Sequence, residues 1–388
     1  MKVKKAGNAI VVFMVIMIIT LGGCKMKEPS EPSEDLSNTT TSASVKENEE
    51  TQTNSEDSTE TSATTTQTTN NTTVSTTTKN NSIVEEDPQH YLAVTDLAGG
   101  IKVLDLDAKD PTSSQAVVWE WKPTEAAGWK LALSRVPNGI DEIKLRYSEY
   151  YHKKVVIMTS SLDWAGIADY ETGKCLWEAE VPYMPHAIEM LPNGDLIVGG
   201  SGGDDYMTEG CLMYYNITAG DNCTQTDRQL LSSAHGIVWD PEEKVLWATG
   251  WDHLVAFEIK GTKLLLVEGK GCRVSSYNVH DLSADYYDSD QLFITTGTEV
   301  YKFSKEENKL LVDYNFSDVL LSKGDVKGIT SFSDGSVAYC IGTGINTSFD
   351  TDTFYLIRLQ DDGVGIQTRY KVPNFTMYKI KNFSVDYQ

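Results

Sequence analysis

The chain has 388 residues, with 33 Lys and Arg against 56 Asp and Glu, for a formal net charge of −23. Such a surface repels nucleic-acid phosphate and weighs against DNA and RNA as partners. Gly 29, Tyr 19 and Trp 8, with few long helical patterns, lean towards an all-β protein.

Lys2, Lys4 and Lys5 precede an apolar run, Ala9 to Leu21, that ends in Leu21-Gly22-Gly23-Cys24. The run is short for a bilayer span and reads as a secretory signal. The small residues before the cysteine resemble the lipobox of bacterial lipoproteins. That resemblance implies cleavage before Cys24, diacylglycerol on its sulfur, the membrane as a partner through lipidated Cys24, and an extracytoplasmic place at the bacterial cell surface. Residues 25–88 contain no aromatic residue and are dominated by Thr, Ser, Asn and Glu. Such a stretch buries too little apolar surface to offset its ordering entropy. As a disordered stalk it spans roughly 45 Å end to end and holds the folded part off the membrane. The predicted organisation is therefore a signal peptide over 1–23, a lipid-anchored stalk over 24–88 and one folded domain over 89–388. Beyond Cys24 the cysteines are Cys175, Cys211, Cys223, Cys272 and Cys340. No Cys-x-x-Cys occurs, which argues against structural zinc. Cys211 and Cys223 are open to a bridge or to roles as buried thiols.

The folded part repeats. His186-Ala187-Ile188, His235-Gly236-Ile237, His280-Asp281-Leu282 and Lys327-Gly328-Ile329 each place a polar residue two before an aliphatic one, at intervals of 49, 45 and 47 residues. Turn signals at Asn193-Gly194, Asp240-Pro241 and Asp334-Gly335 precede second strands at Leu196–Val198, Val245–Ala248 and Ser336–Cys340. A fainter copy, Asp141-Glu142-Ile143, lies 45 residues before His186. At the far end Lys381-Asn382-Phe383-Ser384-Val385-Asp386 matches His280-Asp281-Leu282-Ser283-Ala284-Asp285, but no second strand follows. At the beginning Tyr91–Thr95 is a second strand that lacks a first. The two deficits cancel if the C-terminal strand is the inner strand of the first blade. The expectation is an all-β, six-bladed β-propeller closed by that strand. Third strands are expected at 102–106, 166–170, 212–217, 254–259, 299–303 and 354–359, and fourth strands at 117–121, 175–180, 264–268, 310–315 and 367–372.

The unit Ala168-Asp169-Tyr170-Glu171-Thr172-Gly173-Lys174-Cys175-Leu176-Trp177-Glu178 resembles the quinoprotein-type propeller repeat, on one blade edge. Over 89–388 the chain is similar to an uncharacterised family of bacterial secreted propeller proteins, known as a domain of unknown function. That resemblance implies a fold and no activity. Trp239-Asp240 and Trp251-Asp252 are not placed as in a WD40 propeller.

Inner-strand starts face the central channel at its ligand-binding end. Asp141, His186, His235, His280, Lys327 and Lys381 are the six expected channel-lining residues. Neutral imidazoles of His186, His235 and His280 at one level suit Zn or Mn, while the two lysines favour a carboxylate or other anion. Loops on the same face carry Asp96, Asp163, Trp164, Asp204, Asp205, Trp251 and His253. Trp beside carboxylates suits sugar rings; the alternative is that Trp164 and Trp251 pack between blades. Gly199-Gly200-Ser201-Gly202-Gly203 matches a nucleophile-elbow pattern but lacks the helix that must follow. The expected function is a surface-anchored binding lipoprotein taking a polar or anionic ligand (glycan, peptide or small molecule) at the channel mouth. The alternatives are a metal-dependent lyase or hydrolase acting on an extracellular saccharide through the three histidines, and a structural envelope scaffold. The expected partners beyond the membrane are an extracellular glycan or protein.

Overall fold

A computed structural model describes residues 90–311, 324–344, 350–360 and 365–387. The signal, Cys24, the stalk and the end of the predicted 310–315 strand lie outside the described residues. Blade 1 takes β1 (Tyr91–Asp96), β2 (Gly100–Asp105) and β3 (Val117–Trp121). Blade 2 is β4 (Glu142–Ser148), β5 (Lys153–Ser160), β6 (Trp164–Asp169) and β7 (Cys175–Glu180). Blade 3 is β8 (Pro185–Met190), β9 (Leu196–Gly200), β10 (Cys211–Tyr215) and β11 (Gln225–Leu230). Blade 4 is β12 (Gly236–Asp240), β13 (Val245–Gly250), β14 (His253–Lys260) and β15 (Lys263–Arg273). Blade 5 is β16 (Asp281–Ala284), β17 (Gln291–Thr295), β18 (Val300–Ser304) and β19 (Lys309–Leu311). Blade 6 is β20 (Val326–Ser331), β21 (Val337–Ile341), β22 (Thr353–Leu359) and β23 (Gly365–Lys371). The last strand, β24 (Met377–Asn382), pairs with β1 and completes blade 1 in the order β24-β1-β2-β3. The six-bladed propeller and its C-terminal closure are thus as expected from the repeat. One fourth strand, β11, was not anticipated.

The core explains the repeat. Apolar side chains collect in six wedges, each between two neighbouring blades. One joins Ala93, Ile101 and Trp121 of blade 1 to Ile143, Val156 and Trp164 of blade 2. The ring closes where Leu92, Leu104 and Ile380 of blade 1 meet Ala338, Phe354 and Leu356 of blade 6. Both faces of a middle strand are therefore covered, so β9 and β13 are buried at every position. That is why they read as continuous apolar runs. The outermost β11 is buried at none.

Along the axis the sequence changes character. The inner strands stack in levels that their registers align: Glu142 pairs with Thr159, Ala187 with Gly199, Gly236 with Thr249, Asp281 with Thr295 and Gly328 with Cys340. The sixth member is Lys379, whose N–H donates to Thr95 Oγ1 at 3.0 Å. Glycine at two of these places lets adjoining inner strands approach. A Cβ on Gly236 would meet Leu282 N at 2.5 Å, and one on Gly328 would meet Ile380 N at 2.7 Å. Lys379 Nζ then reaches the axis, donating to Glu142 Oε2 at 3.2 Å and to the carbonyls of His186 and His235 at 3.3 and 3.0 Å. It also lies 3.3 Å from Asp281 Oδ1. Lys381 bonds Asp281 at 2.6 Å. Glu189 is held by Lys144 Nζ at 2.9 Å and by Arg146 Nε and a terminal nitrogen at 2.8 and 3.0 Å. The channel is thus closed by a buried ionic plug, not left as an open polar tube. Burial works against every one of these charges, but Glu142 and Asp281 raise the pKa of Lys379 above its ordinary value. Arg146 and Lys144 likewise hold the Glu189 carboxyl below its own. Each charge is paired and hydrogen-bonded, the condition under which buried ions persist.

Candidate functional site

Above the plug a cleft of about 910 Å³ opens at one end of the propeller. Asp141, His186, His235, His280 and Tyr378 form its floor. Leu97, Ala98, Pro137, Met184, Trp251 and Tyr277 are among the residues of its rim. Volume and mixed lining fall within the range of small-molecule sites.

A backbone device places the floor. In five blades the residue two before the floor position has a positive φ: Gly139 (127°), Met184 (51°), Ser233 (50°), Asn278 (64°) and Asp325 (57°). Asparagine and glycine tolerate this conformation; methionine and serine adopt it at a cost of about 1–2 kcal/mol each. In blades 3 and 4 the turn brings the carbonyl back to the imidazole. His186 Nδ1 lies 2.8 Å from Met184 O, and His235 Nδ1 lies 2.9 Å from Ser233 O. A nitrogen this close to a carbonyl carries the proton, so in each neutral ring Nε2 bears the lone pair. Neither Nε2 hydrogen-bonds a described residue; His186 Nε2 lies 3.6 Å from Asp141 Oδ1. The two rings tilt over one another with centroids 4.5 Å apart. Burial, then the neighbouring His186 and His280, drive the His235 pKa well below its usual value. The same tautomer disposes of a serine nucleophile. Ser233 Oγ is 3.2 Å from His235 Nδ1, but that nitrogen is a donor and cannot take the hydroxyl proton.

His280 differs. Its Nε2 accepts from Lys327 Nζ at 2.8 Å. Burial, then the Lys327 charge, push its pKa down to about 3. That bond occupies Nε2, and the His235 and His280 centroids are 6.2 Å apart with the rings nearly perpendicular. Among the described residues no three His, Cys, Asp or Glu side chains are placed to hold a metal ion. The expected Zn or Mn coordination by His186, His235 and His280 is not the arrangement found, although the three do share one cleft.

The other expected residues separate. Asp141 is on the floor and accepts from Ser161 N. Lys327 stands at the expected level but spends its ammonium on His280 and on Asp325 at 3.4 Å. Lys381 lies below, in the plug; Tyr378 takes its place on the floor, 6.1 Å from the His186 ring. The pairing of β24 with β1 decides this: Ala93 faces Lys381 and Val94 faces Ile380, three residues along from the register that the sequence match implies. The cations expected to attract an anion therefore do not line the cleft. Trp164 is fully buried, edge-on to Trp129 at 5.8 Å, and donates to Glu178 Oε2 at 3.2 Å. It belongs to the wedge between blades 1 and 2, because the segment between β3 and β4, with its one-turn helix α1 (Ala132–Arg135), inserts Trp129 there. Trp251 does line the cleft, stacked on Tyr277 with centroids 5.6 Å apart. Asp96 and Asp163 support the rim. The first accepts from Ala98 N and Thr376 N at 3.1 and 3.2 Å, and the second from Met184 N at 3.2 Å. His253 is exposed beside Asp252, and Asp205 is exposed in a short 3-10 turn. The Asp204 side chain lies outside the described residues. Sequence reasoning missed Tyr277, Asn278 and Tyr378. The recurring positive-φ position, marked by Gly139 and Asn278, is the signal that points to Asn278. Cys175, Cys211, Cys223, Cys272 and Cys340 are free thiols, so Cys211 and Cys223 are unbridged.

No protein-family model matches the chain, and no curated protein matches it. Solved structures similar to it include a chain of a nidogen/laminin complex at 16% identity and TM-score 0.52, covering 77% of this chain and 99% of that one. A protein of unknown function from Bacteroides caccae aligns at 13% identity and TM-score 0.46, covering 76% and 98%. Hydrazine synthase of Kuenenia stuttgartiensis aligns at 13% identity and TM-score 0.43, covering 62% and 68%. At these identities the likeness is one of fold.

Proposed function

We propose that the chain is a surface-anchored lipoprotein whose propeller binds a polar ligand in the cleft above the plug. The observation that carries the binding reading is the pair His186 and His235. Each is fixed by a strained turn and each turns its Nε2 into the same cleft, beside Trp251 on its rim. A left-handed methionine and serine are costly, and strain of this kind gathers at functional sites. The anchor rests on the sequence Leu21-Gly22-Gly23-Cys24.

Two measurements test this reading. A thermal-shift screen of the full chain against sugars, peptides and metabolites should return at least one ligand that raises the melting temperature. His235→Ala, which truncates a floor side chain, should abolish that rise while leaving the unliganded protein folded. A ligand whose shift survives in His235→Ala would place binding elsewhere. For the anchor, Cys24→Ala should move the chain from the membrane pellet to the soluble fraction after cell breakage. Unchanged pelleting would remove the lipid from the account.

A further inference from the structure

The ligand class follows from what the cleft offers and what it withholds. His186 Nε2, His235 Nε2 and the Asp141 carboxylate are acceptors on one side of the floor, with His186 Nε2 3.6 Å from Asp141 Oδ1. Acceptors set side by side call for donors on the ligand, as hydroxyl or amine hydrogens. An anion meets no welcome. Among the described lining residues none is lysine or arginine, and Asp141 adds a negative charge of its own. A cation is opposed from beneath. The plug sets four cations, Lys144, Arg146, Lys379 and Lys381, against three anions, Glu142, Glu189 and Asp281. At the level nearest the floor the Lys379 ammonium sits with Glu142 and Asp281 and bonds the backbone carbonyls of His186 and His235 themselves. Lys327 holds a further ammonium between His280 and Asp325. At the rim Trp251 and Tyr277 stack nearly parallel, 21° apart, and Tyr277 is exposed. Such a surface suits the apolar face of a sugar ring, whose edge carries hydroxyls.

We infer that the cleft takes an uncharged, polyhydroxylated ring, the end residue of a neutral saccharide. Its hydroxyls donate to His186, His235 and Asp141, and its ring face lies against Trp251 and Tyr277. The inference rests on the reading of this cleft as the binding site and narrows it to one ligand class.

The test is an oligosaccharide array carrying neutral, uronate-bearing, sialylated and amino-sugar glycans, probed with the full chain and followed by titration of the captured glycan. Neutral glycans should be retained, with affinity unchanged by ionic strength because no net charge is paired. His235→Ala and Trp251→Ala should each weaken binding about tenfold or more, with melting temperatures showing both variants folded. His235→Gln, which returns a carbonyl acceptor, should recover part of the loss. Capture only of charged glycans, with affinity that falls as salt rises, overturns the ligand class and leaves the cleft as the site. So does retention of no glycan at all while a non-saccharide from the thermal-shift screen still depends on His235. Neutral glycans held equally well by both alanine variants overturn the class and the site together.

Discussion

Lys379→Met is expected to destabilise the propeller by about 3–5 kcal/mol, the usual result of removing one partner from a buried ion cluster. The measurement is urea denaturation of the full chain, with the midpoint lowered. Lys379 has no exposed surface and reaches from blade 1 to groups on blades 2, 3, 4 and 5. Methionine keeps the apolar stem and deletes the charge. Glu142 and Asp281 are then left buried with Lys381, 3.7 and 2.6 Å away, as their remaining cation. Two carbonyls, of His186 and His235, lose a donor at the same time. The quadruple variant Lys379→Met, Lys381→Met, Glu142→Gln, Asp281→Asn, which leaves no unpaired ion behind, should recover much of the loss, because neutral groups carry a far smaller desolvation cost. A single variant that unfolds within about 0.5 kcal/mol of the native protein, as surface changes do, would show that the plug contributes little. The ligand should be affected as well, since the two histidines that face it are held at their backbones by the lost ammonium.

Acid should destabilise the protein well before its carboxylates titrate. His280 has an ordinary value of 6.5 in the unfolded chain and about 3 in the folded one, and His235 is depressed in the same sense. Between those values the unfolded state binds the proton and the folded state refuses it, so stability falls as pH falls. The slope is up to about 1.4 kcal/mol per pH unit for each such histidine. Glu189, held below its ordinary 4.5, acts in the same direction only once pH drops beneath that value. The window from pH 6.5 to 4.5 therefore isolates the histidines. Denaturation midpoints across this window should show the slope. His280→Gln, which can still accept from Lys327, should reduce it by up to one proton. An unchanged slope would mean that His280 is protonated in the folded state and that the Lys327–His280 bond is not the one described.

Much of the architecture could be read in one dimension because it is repetitive. Each wedge between blades needs apolar side chains on both faces of the middle strands, so stretches such as Leu196–Val198 and Val245–Ala248 stand out at regular spacing. The outermost strand of a blade meets no such demand. Gln225-Thr226-Asp227-Arg228-Gln229-Leu230 forms β11 through its ladder to β10, with Leu230 left 71% exposed, and nothing in its composition announces a strand. Closure of blade 1 was legible for the opposite reason: a lone second strand at one end and a lone first strand at the other leave open edges that pairing removes.

The sequence by itself determined the six-fold repeat, the closing strand and four of the five floor residues, Asp141, His186, His235 and His280, because all of these depend on local pattern and period. The tertiary structure decided the fifth, since β24 pairs with β1 so that Ala93 faces Lys381 and Val94 faces Ile380, which leaves Tyr378 on the floor and Lys381 in the plug. Register is set by pairing partners distant in the chain, and residue identity does not report it. Direction was likewise a matter of packing: Trp164 opens the third strand of blade 2 and Trp251 stands in the turn before the third strand of blade 4, yet one is drawn into a wedge by Trp129 and the other stands on the rim. The ionic plug was visible only once six strands met at an axis. Glu142, Lys144, Arg146, Glu189, Asp281 and Lys379 are scattered over the chain, and each resembles a surface charge until the fold takes its water away.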